Sequence, residues 1–365
     1  MQDGGAYAGT HIGLRRRLVA GTGGRVFGLH LDRDSTWMAC HRRVLTCNPH
    51  RASRSWAHGL RPRTLLVVLP RGTFASCRRK YYHDYYGSWT GWDGAADPVR
   101  KQTWLLKKMT RMPMFAGDLV HQAIQRWFEA KRRGEDGTCE EAITWAVGQL
   151  RDGYKTSRDG KWRRRPAKLI HLGEHHYKES RIEEGTGAAG EYGKEYVARI
   201  ETGLTAFFEM PELEAARTAD PATWLSCEDM STFDLFGLKI YAVPDFAWRD
   251  EAGTVHVLDW KTGKPRDADR FQLAVYVQYA AAKWGANPAD VLCADVYLPQ
   301  REVVAMRFDA SEQAETMGRI EDSMTEMKAL HFDAGLTAGD PDAFPMVPQD
   351  SRECRTCNYR ELCGR

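Results

Sequence analysis

The sequence lacks the features of a membrane protein, a secreted protein or a molecular motor. No run approaches about 18 apolar residues, so no membrane-spanning helix is expected. The apolar run at residues 64–69 is too short and too far from the first residue for a signal peptide. No GxxxxGK[ST] phosphate-binding loop is present, so any motor must be a separate chain. These absences predict an intracellular, cytoplasmic protein without membrane contact.

Acidic residues and lysine are scarce in the first part of the chain. Residues 1–70 contain eleven arginines and three aspartates but neither lysine nor glutamate, a charge of about +8. Because the whole chain carries +3, about −5 is left for the remainder, and any DNA contact there must depend on local basic patches. We expect residues 1–73 to be a basic Gly- and Arg-rich arm that is disordered or binds DNA non-specifically, or else sequence upstream of the true start.

Residues 237–279 have the pattern of strand, turn, strand and helix. Apolar and polar residues alternate over 238–242, and residues 250–253 have turn chemistry. A second strand is predicted over 255–261. Residues 271–284 are apolar and Ala-rich without glycine or proline, which predicts a helix.

The charges of this stretch lie at its strand ends. We expect Asp245 to end the first strand and Asp259 the second, so a hairpin would bring both carboxylates to one edge. Side chains alternate along a strand, so Asp259 and Lys261 share a face and the Trp260 carbonyl lies near the carboxylates. Such hard oxygen ligands suit Mg²⁺ or Mn²⁺, beside which a lysine can hold and polarise the attacking water.

Two helices add polar residues to this pattern. Gln272 and Tyr276 are four residues apart, so they share a helix face. Residues 117–128 predict an amphipathic helix with His121 in its first turn. A lone histidine on a helix is by itself most often structural.

Together these motifs resemble a known nuclease superfamily. "PD", "LDWKTGK" and "QLAVY" resemble the PD-(D/E)XK nuclease superfamily, specifically its RecB-like exonuclease branch, in which the histidine of a G-x-x-x-H helix is a metal ligand. The resemblance covers residues 74–365. It implies one α/β domain with a restriction-endonuclease-like core, that is, a mixed central sheet flanked by helices, with a helical insertion before the hairpin.

The resemblance also implies roles for the residues of the motifs. His121, Asp245, Asp259 and the Trp260 carbonyl would bind Mg²⁺ or Mn²⁺. Lys261 would position the water. The implied catalytic set is the following: Asp245, Asp259, Lys261, Gln272 and Tyr276.

The nine cysteines are an odd number, which favours a reducing compartment over a disulfide scaffold. Cys354, Cys357 and Cys363 place three soft ligands in one loop at residues 354–363, and both zinc and iron–sulfur clusters accept thiolates. A fourth ligand must come from far upstream. Cys77 is the candidate because it resembles the isolated first cysteine of iron–sulfur RecB-like nucleases; it follows Ser76, which is predicted to cap the helix that Cys77 begins.

The one-plus-three cysteine layout resembles the AddB nuclease domain and the CRISPR-associated adaptation exonucleases. In those families the four cysteines hold a [4Fe–4S] cluster, and zinc is the alternative. The cluster would act as a staple that joins both ends of the domain, since it would close a very long loop. Cys40, Cys47, Cys139, Cys227 and Cys293 lack such spacing and are expected to be ordinary residues.

Other segments are less informative. Residues 161–168 form a basic cluster that contains Trp162. Either Trp162 stacks on a nucleic-acid base, or the segment is a solvated loop. The histidines at 171, 175 and 176 lack the partner spacing of a metal site. Strands are predicted over 292–298 and 302–308, followed by a helix to about residue 330 with Asp309 and Glu312 as its capping box.

We therefore predict a metal-dependent DNA nuclease, most simply an exonuclease, in DNA repair and recombination or in CRISPR- or phage-related DNA processing. Its partners would be DNA ends or single strands and a separate helicase or CRISPR-type protein. The alternatives are a non-catalytic DNA-end-binding or scaffold subunit that keeps the fold, and a site-specific endonuclease of the restriction type.

Overall fold

The computed structural model describes residues 65–333, 335 and 337–365. The predicted arm at residues 1–73 lies mostly outside the described residues, as do Cys40 and Cys47. The described residues form eleven α-helices, in chain order: α1 Val68–Ser76, α2 Arg78–Tyr82, α3 Pro98–Lys107, α4 Met112–Arg132, α5 Cys139–Arg158, α6 Gly173–His176, α7 Ala188–Glu209, α8 Glu214–Thr218, α9 Asp267–Trp284, α10 Ala310–Ala329 and α11 Arg352–Arg355. Within these residues no helix is both long and apolar enough to cross a membrane.

Eight strands in the described residues form two sheets. The strands are β1 Leu65–Val67, β2 Trp224–Cys227, β3 Ser231–Leu235, β4 Leu238–Ala242, β5 Phe246–Arg249, β6 Val255–Lys261, β7 Val291–Tyr297 and β8 Glu302–Met306. The larger sheet has the order β2-β5-β6-β7-β8 and is antiparallel except for the parallel pair β6–β7. The smaller sheet has the order β1-β4-β3. The mixed sheet agrees with the predicted α/β class.

Helices cover both faces of the larger sheet. On one face, Trp260 of β6 packs in a core with α4, α5 and α7. On the other face, Val257 of β6 packs in a second core with α9 and α10. Because side chains alternate along β6, Asp259 and Lys261 share a face, as the sequence predicted, and this is the face that α9 covers. The sheet is therefore buried on both sides, and polar side chains on it need partners.

The predicted hairpin was wrong in its first strand. The strand at residues 238–242 pairs with β3 and β1 in the smaller sheet and not with β6. The strand beside β6 is instead β5, and the sequence analysis did not separate β5 from the strand at residues 238–242. Asp245 therefore precedes β5 instead of ending the earlier strand. The turn at residues 250–253 was correct, since it joins β5 to β6.

Other elements agree with the sequence to within a few residues. The predicted β6, β7, β8 and α9 are present, although α9 begins four residues early, at Asp267. Asp309 and Glu312 form the predicted capping box of α10. Two details were wrong: α4 begins at Met112, so His121 is near its middle, and Cys77 itself caps α2 by accepting from the N–H of Lys80 at 3.5 Å.

The basic cluster at residues 161–168 does not present its aromatic ring to solvent. Trp162 is buried and stacks on His171 with ring centroids 3.6 Å apart and planes 9° apart. The indole therefore belongs to the protein's own packing in the segment between α5 and α7, so base stacking, one of the two alternatives for this cluster, does not apply. None of the three nearby histidines is in a described group able to share a metal ion.

The buried His171 makes the stability of the protein sensitive to acid. The pKa of His171 is lowered from 6.5 to about 3, mainly by burial, with smaller effects of the same sign from His176 and Arg163. The unfolded chain takes up this proton below about pH 6.5, whereas the folded protein does not until near pH 3. The unfolded state therefore binds more protons in this window, and the free energy of unfolding falls as the pH drops through it.

We expect His171 to lower the free energy of unfolding by about 2 kcal/mol between pH 7 and pH 5. Urea titrations at the two pH values check this against His171→Phe, which keeps a ring beside Trp162 and cannot protonate. The carboxylates contribute to the pH dependence of both proteins, so the difference between the two gives the contribution of His171. Equal dependence in both proteins would contradict the assignment.

Candidate metal centre

The two aspartates of the motif lie opposite each other at one end of the β5–β6 hairpin. Phe246 pairs with Leu258, so Asp245, one residue earlier, meets Asp259, one residue later. The backbone N–H of Trp260 donates to Asp245 Oδ2 at 2.6 Å. The two aspartates are only 6% and 4% exposed. The pairing of two short strands is therefore sufficient to bring both carboxylates together.

Helix α4 lies on the face of the larger sheet opposite α9, and it brings His121 to the end of the hairpin where the two aspartates lie. A Cβ added at Gly117 would lie 2.7 Å from Thr262 Oγ1, in the loop after β6, so glycine permits the close approach one turn before the histidine. His121 Nδ1 lies 3.2 Å from Glu228 Oε1 and 3.3 Å from Asp245 Oδ1. One imidazole and two carboxylates thus converge on one point.

Glu228, which the sequence analysis missed, follows directly after β2. Its backbone has a φ of 55°, in the left-handed region, and its N–H donates to the Asp245 carbonyl at 3.0 Å. The ligand atoms of His121, Glu228 and Asp245 all lie within 4.8 Å of one another. This set of oxygen and nitrogen donors fits Mg²⁺ or Mn²⁺, and the imidazole shifts the preference toward Mn²⁺.

The charges of this trio already compensate each other in part. Burial disfavours the charged form of His121, but Asp245 and Glu228 outweigh it and hold the pKa of His121 well above its ordinary value. The pKa of Asp245 is raised to about 6, mainly by burial, with His121 opposing the rise and Glu228 adding to it. The protonated imidazole of His121 therefore supplies part of the positive charge that a bound cation would supply.

Lys261 and the polar residues of α9 surround Asp259. Lys261 Nζ lies 2.5 Å from Asp259 Oδ2 and donates to Gln272 Oε1 at 2.8 Å. The Gln272 amide donates to Asp259 Oδ1 at 2.9 Å, and the Tyr276 hydroxyl lies 3.1 Å from the same oxygen. The same hydroxyl is 2.8 Å from the Val243 carbonyl. The Q-x-x-x-Y pair thus fixes both the carboxylate and the lysine.

Two further carboxylates, both missed by the sequence analysis, face Lys261. Its Nζ lies 3.4 Å from Asp295 Oδ1 on β7 and 3.8 Å from Asp269 Oδ1 on α9. Burial lowers the pKa of Lys261, but Asp259, Asp295 and Asp269 outweigh it and raise that pKa to about 12. Burial also raises the pKa of Asp259 and of Asp295 to about 6 each.

The structure brings most of the predicted site residues to this edge: His121, Asp245, Asp259, Lys261, Gln272 and Tyr276. The Trp260 side chain lies apart in the core with α7. Asp295 carried a signal, because it is a lone charge inside the apolar run VLCADVYL. Glu228 carried a weaker one, as an acidic residue that ends a short strand.

The four predicted cysteine ligands line one small cavity. Backbone N–H groups approach two of the sulfurs, from Lys80 to Cys77 Sγ at 3.5 Å and from Tyr359 to Cys357 Sγ at 3.4 Å. The Arg365 guanidinium approaches Cys354 Sγ at 3.3 Å. His83 Nε2 lies 3.9 Å from Cys363 Sγ. The cavity therefore joins α2 to the C-terminal cysteine motif.

Burial disfavours the thiolate form of one of these cysteines. Burial raises the pKa of Cys357 to about 11, so its thiol stays neutral without a metal. Cys139, Cys227 and Cys293 are free and lie elsewhere.

Among known proteins, one family has a model that spans these motifs. A solved structure described as "Crystal structure of SSO0001" is similar over 48% of this chain and 77% of that chain, with 14% sequence identity and a TM-score of 0.25. No curated protein matches the chain. Residues 72–364, most of the sequence, match the family model described as PD-(D/E)XK nuclease superfamily. The chain belongs to the PD-(D/E)XK nuclease superfamily.

Proposed function

We propose that residues 74–365 form a divalent-metal-dependent deoxyribonuclease that hydrolyses phosphodiester bonds, as an exonuclease of the RecB-like branch. The observation that carries this proposal is the convergence of His121, Glu228 and Asp245 beside the Asp259–Lys261 pair. A retired site would be expected to lose a member of this set, and here each one has its partners. Membership of the superfamily supports the same chemistry.

The protein residues divide the work between holding cations and placing the nucleophile. His121, Glu228 and Asp245 would hold a Mg²⁺ or Mn²⁺ ion, with Asp259 and the Trp260 carbonyl as further ligands. The ion, when bound, polarises the phosphoryl oxygen and lowers the pKa of a bound water. Lys261 directs the attacking water and offsets the charge that develops on the phosphoryl oxygens.

Gln272 and Tyr276 act on the arrangement of the site. Gln272 contacts both Lys261 and Asp259, and so fixes their separation. Tyr276 is fully engaged between the Val243 carbonyl and Asp259. We assign both residues a role in orienting the lysine and the carboxylate.

The cysteine cavity supports a [4Fe–4S] cluster held by Cys77, Cys354, Cys357 and Cys363, with zinc as the alternative. N–H groups near the sulfurs are typical of iron–sulfur sites. The cluster would be a structural staple, far in sequence from the hairpin.

The substrate would be DNA ends or single strands, and a separate helicase or CRISPR-type protein would be the partner, in the cytoplasm. Repair, recombination and CRISPR- or phage-related processing all need such a nuclease. A non-catalytic scaffold that binds DNA ends is the alternative, and the experiments below separate it from the enzyme.

Replacement of Lys261 by methionine should lower the hydrolysis of DNA by roughly 100-fold or more, because the developing negative charge loses its cation. Release of nucleotides from linear DNA in Mn²⁺ measures this. Lys283→Met is the matched control, since Lys283 is exposed near the end of the same α9. If wild-type protein binds DNA ends and never cleaves them, the scaffold alternative holds.

Replacement of Glu228 by glutamine should weaken Mn²⁺ binding by about tenfold or more, because one anionic ligand becomes neutral. The neighbouring Asp229→Asn is the control, since Asp229 is exposed and lies outside the ligand trio. The free Mn²⁺ signal in electron paramagnetic resonance measures binding directly. Equal affinity in both variants would remove Glu228 from the centre.

Protein purified without oxygen should be brown, absorb near 400 nm and contain about four iron atoms. Cys77→Ser should lose the iron, whereas Cys293→Ser, at a buried free cysteine in β7, should keep it. Iron and zinc analysis checks both variants. One zinc per chain and no colour would establish the alternative metal.

A further inference from the structure

Asp295 lies where its strand should carry an apolar residue. It occupies β7, whose parallel pairing with β6 sets Asp295 directly beside Asp259. Its neighbours Ala294 and Val296 pack in the core with α4 and α7, so Asp295 faces α9 instead, at 1% exposure. A carboxylate buried in this way is costly unless a cation accompanies it.

Lys261 is that cation, and its three N–H groups are shared among several acceptors. Two close contacts are made with Asp259 and Gln272, at 2.5 Å and 2.8 Å. The next nearest acceptor is Asp295 Oδ1 at 3.4 Å, and among the described residues this atom makes an ion pair but no hydrogen bond. Asp295 is therefore available to hold the ammonium when another partner leaves.

Asp269 is less suited to that task because its oxygens are engaged elsewhere. Oδ2 accepts from the backbone N–H of Arg266 at 3.0 Å and from the Tyr297 hydroxyl at 3.2 Å. Oδ1 accepts from the Arg266 guanidinium at 3.1 Å. Its distance to Lys261 Nζ is also the longest of the three carboxylates, at 3.8 Å.

Asp259 has two roles that compete with each other. It is a proposed ligand of the cation, yet in the structure its Oδ2 is the closest anion to Lys261. A cation bound at Asp259 would repel Lys261 and would compete with it for this carboxylate. Lys261 must then have a second anion beside it, or it will either leave the site or compete for Asp259.

We propose that Asp295 is a positioning residue that holds Lys261 beside the reaction centre while Asp259 binds the metal. It acts through the lysine and touches neither metal nor DNA. The proposal rests on the proposed nuclease function and extends it to a strand outside the superfamily motif. The chain thereby separates the carboxylate that binds metal from the carboxylate that retains the lysine.

The test compares Asp295→Asn with Asp290→Asn, an exposed carboxylate just before the same strand. For Asp295→Asn we expect kcat at saturating Mn²⁺ and DNA to fall about 10- to 100-fold, with the KM for DNA unchanged. Mn²⁺ binding without DNA, followed by electron paramagnetic resonance, should weaken several-fold, because Lys261 then occupies Asp259. The thermal midpoint should stay equal or rise, since a buried like charge is removed. A role in folding alone would lower the midpoint and leave kcat unchanged.

The variant Lys261→Met decides whether Asp295 acts through the lysine. In that background Asp295→Asn should leave Mn²⁺ binding unchanged, and an equal loss in both backgrounds would make Asp295 a metal ligand and overturn the proposal. A kcat within twofold of wild type would also overturn it. Asp295→Glu keeps the charge, should keep most of the Mn²⁺ affinity, and serves if the asparagine variant does not fold. A wild type that binds Mn²⁺ but cleaves no DNA would contradict the nuclease function, while the binding comparison would still test Asp295.

Discussion

Two aspartates on neighbouring strands, and a third just before the next strand, lie together at one end of the larger sheet, and the site depends on how their charges are compensated. Antiparallel pairing sets Asp245 beside Asp259, and parallel pairing sets Asp295 on the other side of Asp259. Burial raises the pKa of each to about 6. Buried like charges persist only where cations accompany them, and here Lys261 and His121 fill that need from β6 and α4. The same edge is therefore prepared to exchange protons for a divalent metal.

The helix that presents the histidine is itself anchored by buried charges. Arg111, just before α4, pairs with Glu179 at 2.5 Å, and the fully buried Glu174 accepts the N–H of Met112 at 3.1 Å. Arg360 of the cysteine motif approaches the same Glu179 oxygen at 3.3 Å. Arg111 and Arg360 thus share one oxygen of Glu179, which links the cysteine motif to the start of α4.

The sequence predicted what short-range patterns determine. Strand β6 and helix α9 carry strong periodicity and the motif residues, and the capping box of α10 is a local signal; all three are present. The mistake over residues 238–242 came from strand pairing, because two short apolar strands lie close together and periodicity does not say which of them lies beside β6. Trp162 was misplaced for a similar reason, since its stacking partner His171 comes from a later segment.

The missed carboxylates show where a sequence contains more information than its motif. A charge inside an apolar strand would cost several kcal/mol if it stayed unpaired, so a lone aspartate in VLCADVYL predicts a buried cation close by. Composition cannot name that cation, because it depends on which strand lies alongside and in which direction. Once β7 is parallel to β6 in the observed register, Asp295 meets Asp259, and the lysine two residues further along β6 is the cation within reach. The motif lysine is therefore placed by two strands and not by its own strand alone.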